Sequence, residues 1–218
     1  MSFGIASKRD LESLINNGIH IEKLICNFNN DINYLLKNLS DLTHLQFRNE
    51  YDQITDLSNC TNLKFLQFGV DYDQPTNFSS LVNLTHLQFD VCYNQPTDFS
   101  NLVNLTHLQF GNEYDQITDL SNCTKLQYLQ FEYIYDQFTN LLPLTNLKFL
   151  QFGKCYDQPA NFKNLVNLTH LEFGYRYNQK TDLSNCINLI LLKFNAFSIK
   201  QINFSKYEKI GNIWQEKN

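Results

Sequence analysis

The stretch Leu84-Thr-His-Leu-Gln-Phe89 decides the fold of this chain, because it belongs to a series of near-copies spaced 21 residues apart. The same text begins at Leu42 and at Leu105, and a copy with Glu172 in place of the glutamine begins at Leu168. Looser copies begin at Leu63, Leu126, Leu147 and Leu189. A chain that repeats at so short a period is expected to form one elongated body, in which each unit packs only on its neighbours.

The order of apolar residues within a unit predicts its local structure. Counting from the first leucine, positions 4 and 6 are leucine and phenylalanine, and this alternation indicates a short strand with one buried face. An aspartate or asparagine at position 15 can cap the return segment that carries positions 16 and 19 inward, as in 56–60. That segment is too short for a good α-helix, so we expect 3₁₀ or irregular turns. The pattern predicts a mostly-β α/β repeat solenoid with a parallel sheet on its inner side.

Three segments follow from the period. Residues 21–188 contain eight 21-residue units. Residues 1–20 lie outside the period and predict a short capping helix, with Ser7 as its N-cap and Gly18 at its end. Residues 189–218 form a degenerate ninth unit and a C-terminal cap, since an array needs both exposed ends of its core covered.

Composition excludes several classes of function. The chain has 17 Lys plus Arg against 22 Asp plus Glu, and no basic cluster stands out, so we expect no nucleic-acid binding. No apolar run approaches the roughly 18 residues of a membrane span, and we expect no membrane partner. The first residues lack a long apolar segment, which predicts a cytoplasmic rather than a secreted protein.

Cysteines and motifs give no indication of catalysis. None of the six cysteines forms a C-x-x-C pair, and Cys60, Cys123 and Cys186 share one repeat position three turns apart, too far to form disulfides. We interpret them as core thiols in a reducing compartment. Nucleotide-binding, hydrolase and metalloprotease motifs are absent, so the prediction is a protein that is not an enzyme and needs no cofactor or metal.

Candidate binding residues occupy positions 3 and 5, which point away from the core onto the inner face of the sheet. Position 3 carries a column of rings, namely His44, Phe65, His86, His107, Tyr128, Phe149 and His170. Position 5 carries glutamines, among them Gln88, Gln109 and Gln130. Exposed aromatic residues are typical of interfaces, and a mainly acidic margin at positions 7–9 favours a basic or amphipathic protein partner.

Each feature of this surface also has a plainer interpretation. The ring column could be cross-strand packing that was copied with the repeat. His86 and His107 are neighbours, so a shared metal ion is a further alternative, although no third ligand is evident. Tyrosine at position 10 and glutamine at position 12 recur in every unit from Leu42 to Asn188, and we interpret them as an aromatic stack and an amide ladder inside the loop edge.

The repeat resembles a known family. The pattern L-x-x-L-x-F, followed by an inward-turning Leu-Ser-Asn-Cys or Leu-Thr-Asn, is similar to a leucine-rich repeat. Leu105-Thr-His-Leu-Gln-Phe-Gly111 and Tyr93-Asn-Gln-Pro96 resemble the FNIP type over about residues 42–188. This unit departs from that type in its 21-residue length and in tyrosine for the first phenylalanine. The resemblance implies a horseshoe-shaped solenoid and an origin in amoebae or in their large DNA viruses, where the location would be the host cytoplasm.

Three functions remain open at this stage. The first is a non-catalytic scaffold that binds a protein partner through the concave sheet face. The second is a structural protein that assembles through its ends or edges. The third, which the resemblance alone implies, is the substrate-recognition part of a ubiquitin-ligase adaptor, although residues 1–20 do not resemble an F-box. The oligomeric state is left open.

Overall fold

The computed structural model of the protein describes residues 2–5, 7–194, 207–210 and 213–216, with side chains described for residues 7–193. The strands are β1 (Ser2–Ile5), β2 (Lys23–Cys26), β3 (His44–Phe47), β4 (Phe65–Gln67), β5 (His86–Gln88), β6 (His107–Gln109), β7 (Tyr128–Gln130), β8 (Phe149–Gln151), β9 (His170–Phe173), β10 (Leu191–Phe194), β11 (Tyr207–Ile210) and β12 (Ile213–Glu216). The helices are α1 (Lys8–Asn16) and α2 (Asn33–Leu36). From β2 to β10 each strand begins 21 residues after the last, as the period predicts.

All the strands belong to one sheet, in the order β1 to β10 followed by β12 and β11. The pairs from β1 to β10 are parallel and join equivalent positions of successive turns, so that Leu66 pairs with Leu87 and Leu87 with Leu108. At the C-terminal end of the described sheet, β12 pairs antiparallel with both β10 and β11. The predicted mostly-β solenoid with a parallel inner sheet is therefore confirmed.

The core consists of one layer of side chains per turn. Leucines at positions 1 and 4 and phenylalanine at position 6 are buried in turn after turn, while positions 3 and 5 alternate with them on the other face. The ring of Phe89 stacks on Tyr93 of its own turn at 3.8 Å between centroids and on Phe110 of the next turn at 5.8 Å. The position-10 tyrosines also stack, with Tyr93 and Tyr114 6.1 Å apart, so the predicted aromatic stack is present.

The cysteines at the shared position lie in this core. Cys60, Cys123 and Cys186 are free and buried, and burial raises the pKa of the Cys123 thiol to about 12. These thiols therefore pack as small apolar groups and stay protonated near neutral pH.

Hydrogen bonds between turns supplement the sheet. Asparagine at position 21 donates its side-chain amide to a carbonyl of the preceding turn, as Asn83 does to Thr61 over 2.9 Å and Asn104 to Val82 over 2.8 Å. Asn83 and Asn104 also begin Asn-Leu-Thr sequences. Their amide nitrogens are thus engaged in holding turns together, which is a structural role for these asparagines.

The glutamines at position 12 do not bond to one another, so the predicted amide ladder was wrong in its partners. From Gln74 on, each donates to the Asp or Asn at position 11 of the preceding turn, as Gln95 does to Asp73 over 2.9 Å, whereas Gln53 donates to Asn29. The same oxygen of Asp73 accepts the backbone N–H of Asn94, also over 2.9 Å. The Asp73 oxygen has two lone pairs and therefore accepts both N–H groups. In a stack of glutamines, each side-chain oxygen would accept only the amide of the neighbouring glutamine.

The convex side is built from successive turns rather than regular helices, apart from the one-turn helix α2. Cys60 N–H donates to Leu57 O and Leu63 N–H to Cys60 O, both over 3.0 Å, which are the three-residue closures expected of so short a return segment. Helix α1 lies where the sequence predicts it, with the Ser7 side chain accepting the Asp10 N–H and Gly18 at a φ of 68° after its end. Strand β1 ahead of it was not predicted.

Candidate functional site

The ring column of position 3 runs across seven consecutive strands, β3 to β9, on the sheet face opposite the core. Parallel pairing in register places each ring beside its equivalent in the next turn. The closest neighbours are His86 and His107, with ring centroids 4.1 Å apart, and Tyr128 and Phe149, 4.4 Å apart. The remaining neighbours lie 5.8 to 6.3 Å apart. The structure therefore brings all seven predicted ring residues together in one continuous stack.

These rings are half-buried rather than freely exposed, which differs from the exposed column that the sequence predicted. The reason is the spacing of parallel strands, since rings in register on strands about 4.8 Å apart cover part of each other's faces. Gln88, Gln109 and Gln130 form a second half-buried column beside them on β5, β6 and β7. The concave face is thus a closely packed surface of ring edges and side-chain amides.

A threonine precedes each of the four histidines in the column and fixes its orientation. The hydroxyl of Thr85 donates to Lys64 O over 2.9 Å and also lies 2.9 Å from Nδ1 of His86. Because its one hydrogen goes to the carbonyl, the imidazole Nδ1–H must be the donor to the threonine oxygen. The same geometry recurs at His44, His107 and His170.

This arrangement assigns the tautomer of the neutral histidines and the chemistry that they present. With the proton on Nδ1, the outward Nε2 carries a lone pair and accepts hydrogen bonds. Sequence reasoning did not identify the threonines as orienting residues. The recurring Thr-His dipeptide at Thr43, Thr85, Thr106 and Thr169 was the signal that could have indicated them.

Burial favours the neutral form of His44, His86 and His107. It lowers the pKa of His86 and His107 below the ordinary value of 6.5, and at His107 the neighbouring His86 lowers it further. For His44 the pKa is lowered first by burial and then by the charges of Lys23 and Lys64 and by His86. At pH 7 these three histidines therefore present neutral rings with hydrogen-bond acceptors at their outer edges.

Polar side chains continue the column in β7 and the residues after it. The hydroxyl of Tyr128 donates to the Gln130 side-chain oxygen, and the Gln130 amide donates to the Glu132 carboxylate. Burial, with Glu132 nearby, raises the pKa of Tyr128. At the C-terminal end of the described side chains, Lys193 forms an ion pair with Glu172 over 2.7 Å. The loop margin holds Glu50, Asp71 and Glu113 exposed and Asp90 and Glu132 half-buried.

The stacked histidines are poorly arranged to share a metal ion. The rings of His86 and His107 are nearly parallel, with an angle of 9° between them, so their outward lone pairs run side by side instead of converging. Zinc would need both nitrogens at about 2.0–2.1 Å. In the part of the chain that the structure describes, no three His, Cys, Asp or Glu residues are grouped to hold a metal ion. No described helix has the length and apolar character needed to cross a membrane.

Comparison with solved structures identifies the type of fold. The sequence matches no described protein family. It also matches no curated protein. Among solved structures, CroV588, described as a circular LRR protein, is similar with a TM-score of 0.66 and 29% identity over 89% of this chain. The chain spans 28% of the length of CroV588.

Two further structures share the fold at lower identity. An internalin, InlF of Listeria monocytogenes, has a TM-score of 0.53 and 20% identity, covering 90% of this chain and 74% of its own. TLR13, in a complex with ssRNA13, has a TM-score of 0.53 and 18% identity, covering 85% of this chain and 34% of its own. Together with the stacked leucine-containing strands described above, these similarities identify the fold of the chain as a leucine-rich-repeat solenoid.

Proposed function

We propose that the chain is a non-catalytic protein-interaction module that binds a protein partner through its concave face. The observation that carries this proposal is the continuous stack of seven rings across β3 to β9. Aromatic residues are enriched at the energetic centres of interfaces. Rings that are already held by stacking and by a rigid sheet lose little side-chain entropy on binding, which favours affinity.

The chemistry of the concave face favours a particular kind of partner. Its histidines offer Nε2 acceptors, so matching groups on the partner are hydrogen-bond donors. Its loop margin is acidic from Glu50 to Glu132, with Arg48 before this part and Lys154 and Arg176 after it. A basic or amphipathic protein complements this surface and would associate faster at low salt.

The proposal includes the finer expectations from the sequence. In it the repeats are of the FNIP type, residues 1–20 and 189–218 cover the two ends of the array, and the protein acts in the cytoplasm. It binds neither nucleic acid nor membrane and uses no cofactor. No observation favours a ubiquitin-ligase role, so the proposal does not include one.

The test is an affinity capture with two variants of verified fold. The first is Phe65→Ala/Tyr128→Ala/Phe149→Ala, which truncates the concave column. The matched control is Val82→Ser/Val103→Ser on the convex side, where both valines are 44% exposed. Partners retained by the control and lost by the concave variant would support the proposal, and cross-linking to peptides of β4 to β8 would locate the contact. A partner held equally by all three proteins would place the site elsewhere.

A second candidate is an assembly protein. CroV588 is described as circular, and the present chain is similar to a part equal to 28% of its length. Strand β1 is moreover the edge of the sheet at one end, and an edge strand offers unpaired backbone groups to another chain. Light scattering over a range of concentrations tests this candidate, because head-to-tail association raises the mass steadily. A mass equal to one chain at every concentration would contradict it.

A further inference from the structure

A second surface lies outside the concave face, on a row of residues that we name the apolar ridge. It consists of position 13 in six successive turns, namely Ile54, Pro75, Pro96, Ile117, Phe138 and Pro159. All six are exposed, and the large members are exposed by 64% at Ile54, 81% at Ile117 and 59% at Phe138. Contiguous apolar surface of more than a few hundred Å² is uncommon on soluble proteins and marks interaction sites.

The fold forces these residues outward. The threonine at position 14 points inward, where Thr118 bonds to the hydroxyl of Tyr114 over 2.9 Å and Thr139 to Tyr135 over 2.7 Å. The residues on either side of an inward side chain in an extended segment point outward. Position 13 therefore projects from the edge of every turn, and the ridge follows from the repeat itself.

The ridge has defined ends. In the turn before Ile54, the equivalent residue is Asn33, whose side chain donates to Ile54 O over 2.8 Å and accepts Asp56 N–H over 2.7 Å. In the turn after Pro159, the equivalent residue is the exposed Lys180. The apolar row thus covers five intervals of about 4.8 Å, or about 24 Å.

An acidic row accompanies the ridge at position 15, the next outward position along the chain. It consists of the exposed Asp56, Asp98 and Asp119 and, one turn beyond the ridge, the exposed Asp182, while asparagine holds the same position at 77, 140 and 161. Each aspartate accepts a backbone N–H from the serine two residues on, as Asp98 does from Ser100 over 2.9 Å. Hydrogen bonds from the hydroxyl and the backbone of the serine, the hydroxyl first at Asp56 and the backbone first at the other three, lower the pKa of all four carboxyl groups, so the row stays charged well below neutral pH.

We propose that the apolar ridge and its acidic row are a docking site for an amphipathic helix whose apolar stripe is flanked by lysine or arginine. A helix of about 16 residues spans 24 Å. Its pitch of 5.4 Å is close to the interval between turns, so that one apolar group per helical turn meets roughly one ridge residue. The basic flank pairs with the acidic row.

A second copy of this chain fits the same surface less well. In a twofold pairing about the middle of the ridge, Asp98 of one chain would lie beside Asp119 of the other, and the reverse. Both chains also carry a net charge of -5. Like charges at an interface disfavour association, whereas a basic partner is attracted.

The test uses a labelled synthetic peptide of 16 leucine and lysine residues with leucines at helical spacing, titrated with the full chain and followed by fluorescence anisotropy. Ile117→Ser/Phe138→Ser is expected to weaken binding by about tenfold or more, since it removes the two adjacent large anchors. Asp98→Asn/Asp119→Asn keeps the oxygen that accepts the serine N–H and is expected to weaken binding and to reduce its salt dependence.

Three controls make the outcome decisive. The convex-side variant Val82→Ser/Val103→Ser should bind the peptide as the wild type does. A scrambled peptide of the same composition should fail to bind. Peptide that does not bind the wild type, or binds the ridge variant equally well, would overturn the docking site. Binding lost in Phe65→Ala/Tyr128→Ala/Phe149→Ala but kept in the ridge variant would assign the peptide to the concave face instead. A self-associated chain that becomes a monomer in the ridge variant would identify a second copy as the occupant.

Discussion

At the scale of single residues, the tyrosines of position 10 show how one substitution within a repeat leaves a defect. The Tyr135 hydroxyl lies 2.7 Å from Thr139, whose own hydroxyl lies near Gln137 O. In the turn that contains Tyr156, Ala160 occupies the place of this threonine. The Tyr156 hydroxyl is buried and has no hydrogen-bond partner in the structure. Such an unsatisfied group costs about 1–3 kcal/mol.

The first prediction is that Ala160→Thr stabilises the protein. The new hydroxyl supplies the missing acceptor, and the free energy of unfolding in urea should rise by about 1–3 kcal/mol. Tyr156→Phe should change it in the same direction, because it removes the unpaired group. Thr139→Ala is the mirror-image control and should lower it, since it removes the threonine of the same turn that bonds to Tyr135 over 2.7 Å. An unchanged or reduced stability of Ala160→Thr would refute this account of the site.

At the scale of one structural element, the contacts between successive turns depend on the polar side chains of position 11 and on the glycines of position 7. The Asp115 carboxylate accepts both the Asp136 N–H and the Gln137 side chain, over 2.9 and 3.1 Å. In the preceding turn Asn94 performs the same function with a neutral amide oxygen. The requirement at position 11 is therefore for an oxygen at that place, not for a charge.

The second prediction separates these two requirements. Asp115→Asn should leave thermal unfolding nearly unchanged, because its amide oxygen can accept both donors. Asp115→Ala should lower the free energy of unfolding by about 1–3 kcal/mol, since two donors of the next turn lose their partner. Calorimetry on the pair provides the measurement. Equal destabilisation by both substitutions would show that the negative charge is what matters.

Position 7 sets how closely two loops approach. Glycine occupies it at Gly69, Gly111, Gly153 and Gly174. A Cβ atom added at Gly111 would lie 1.7 Å from Asp90 O of the preceding turn, which is far inside van der Waals contact. The neighbouring turn carries Asp90 at the same position with a side chain of its own. At Gly111 the backbone therefore approaches the preceding turn so closely that a Cβ atom has no room there.

The third prediction is that Gly111→Ala separates two turns. The backbone must shift to admit the methyl group, and the free energy of unfolding should fall by about 1–3 kcal/mol or more. Asp90→Ala, at the same position one turn earlier, is the matched control and should have a much smaller effect. Urea unfolding of the two variants measures the difference. If both variants unfold alike, the close approach is not a constraint.

At the scale of the whole molecule, the concave column connects seven turns through one stack of rings, and its histidines couple the stack to pH. The unfolded histidines titrate near 6.5, while burial lowers the pKa of His44, His86 and His107 in the folded chain. Below that value the unfolded chain binds more protons than the folded chain. Stability from these residues is therefore complete above pH 6.5 and is lost as pH falls through it.

The fourth prediction is that the melting temperature falls between about pH 7.5 and about pH 5.5, and that His86→Gln/His107→Gln reduces this fall. The two histidines are stacked at 4.1 Å, so protonating both adds charge repulsion within the stack. The carboxyl groups with lowered pKa contribute only at lower pH, since their unfolded values are near 3.8. An identical pH dependence in the variant would exclude the column as its source.

The sequence by itself determined the solenoid. The 21-residue period, the Leu-x-Phe alternation and the short return segments predicted the parallel sheet, its buried face and the ring column, because apolar periodicity directly determines which side of a strand is buried. It also placed α1, since Ser7 and Gly18 mark helix ends within the local chain.

Only the tertiary structure decided what each side chain meets one turn away. It paired the glutamines of position 12 with position 11 of the preceding turn. It set the tautomer of the histidines in β3, β5, β6 and β9 through a threonine that bonds to a carbonyl of the preceding turn. It also made neighbouring rings of the column cover one another. It also isolated the Tyr156 hydroxyl and exposed the apolar ridge. Most of these outcomes depend on distances between residues about 21 positions apart in sequence, which the stacking of turns sets and local periodicity does not encode.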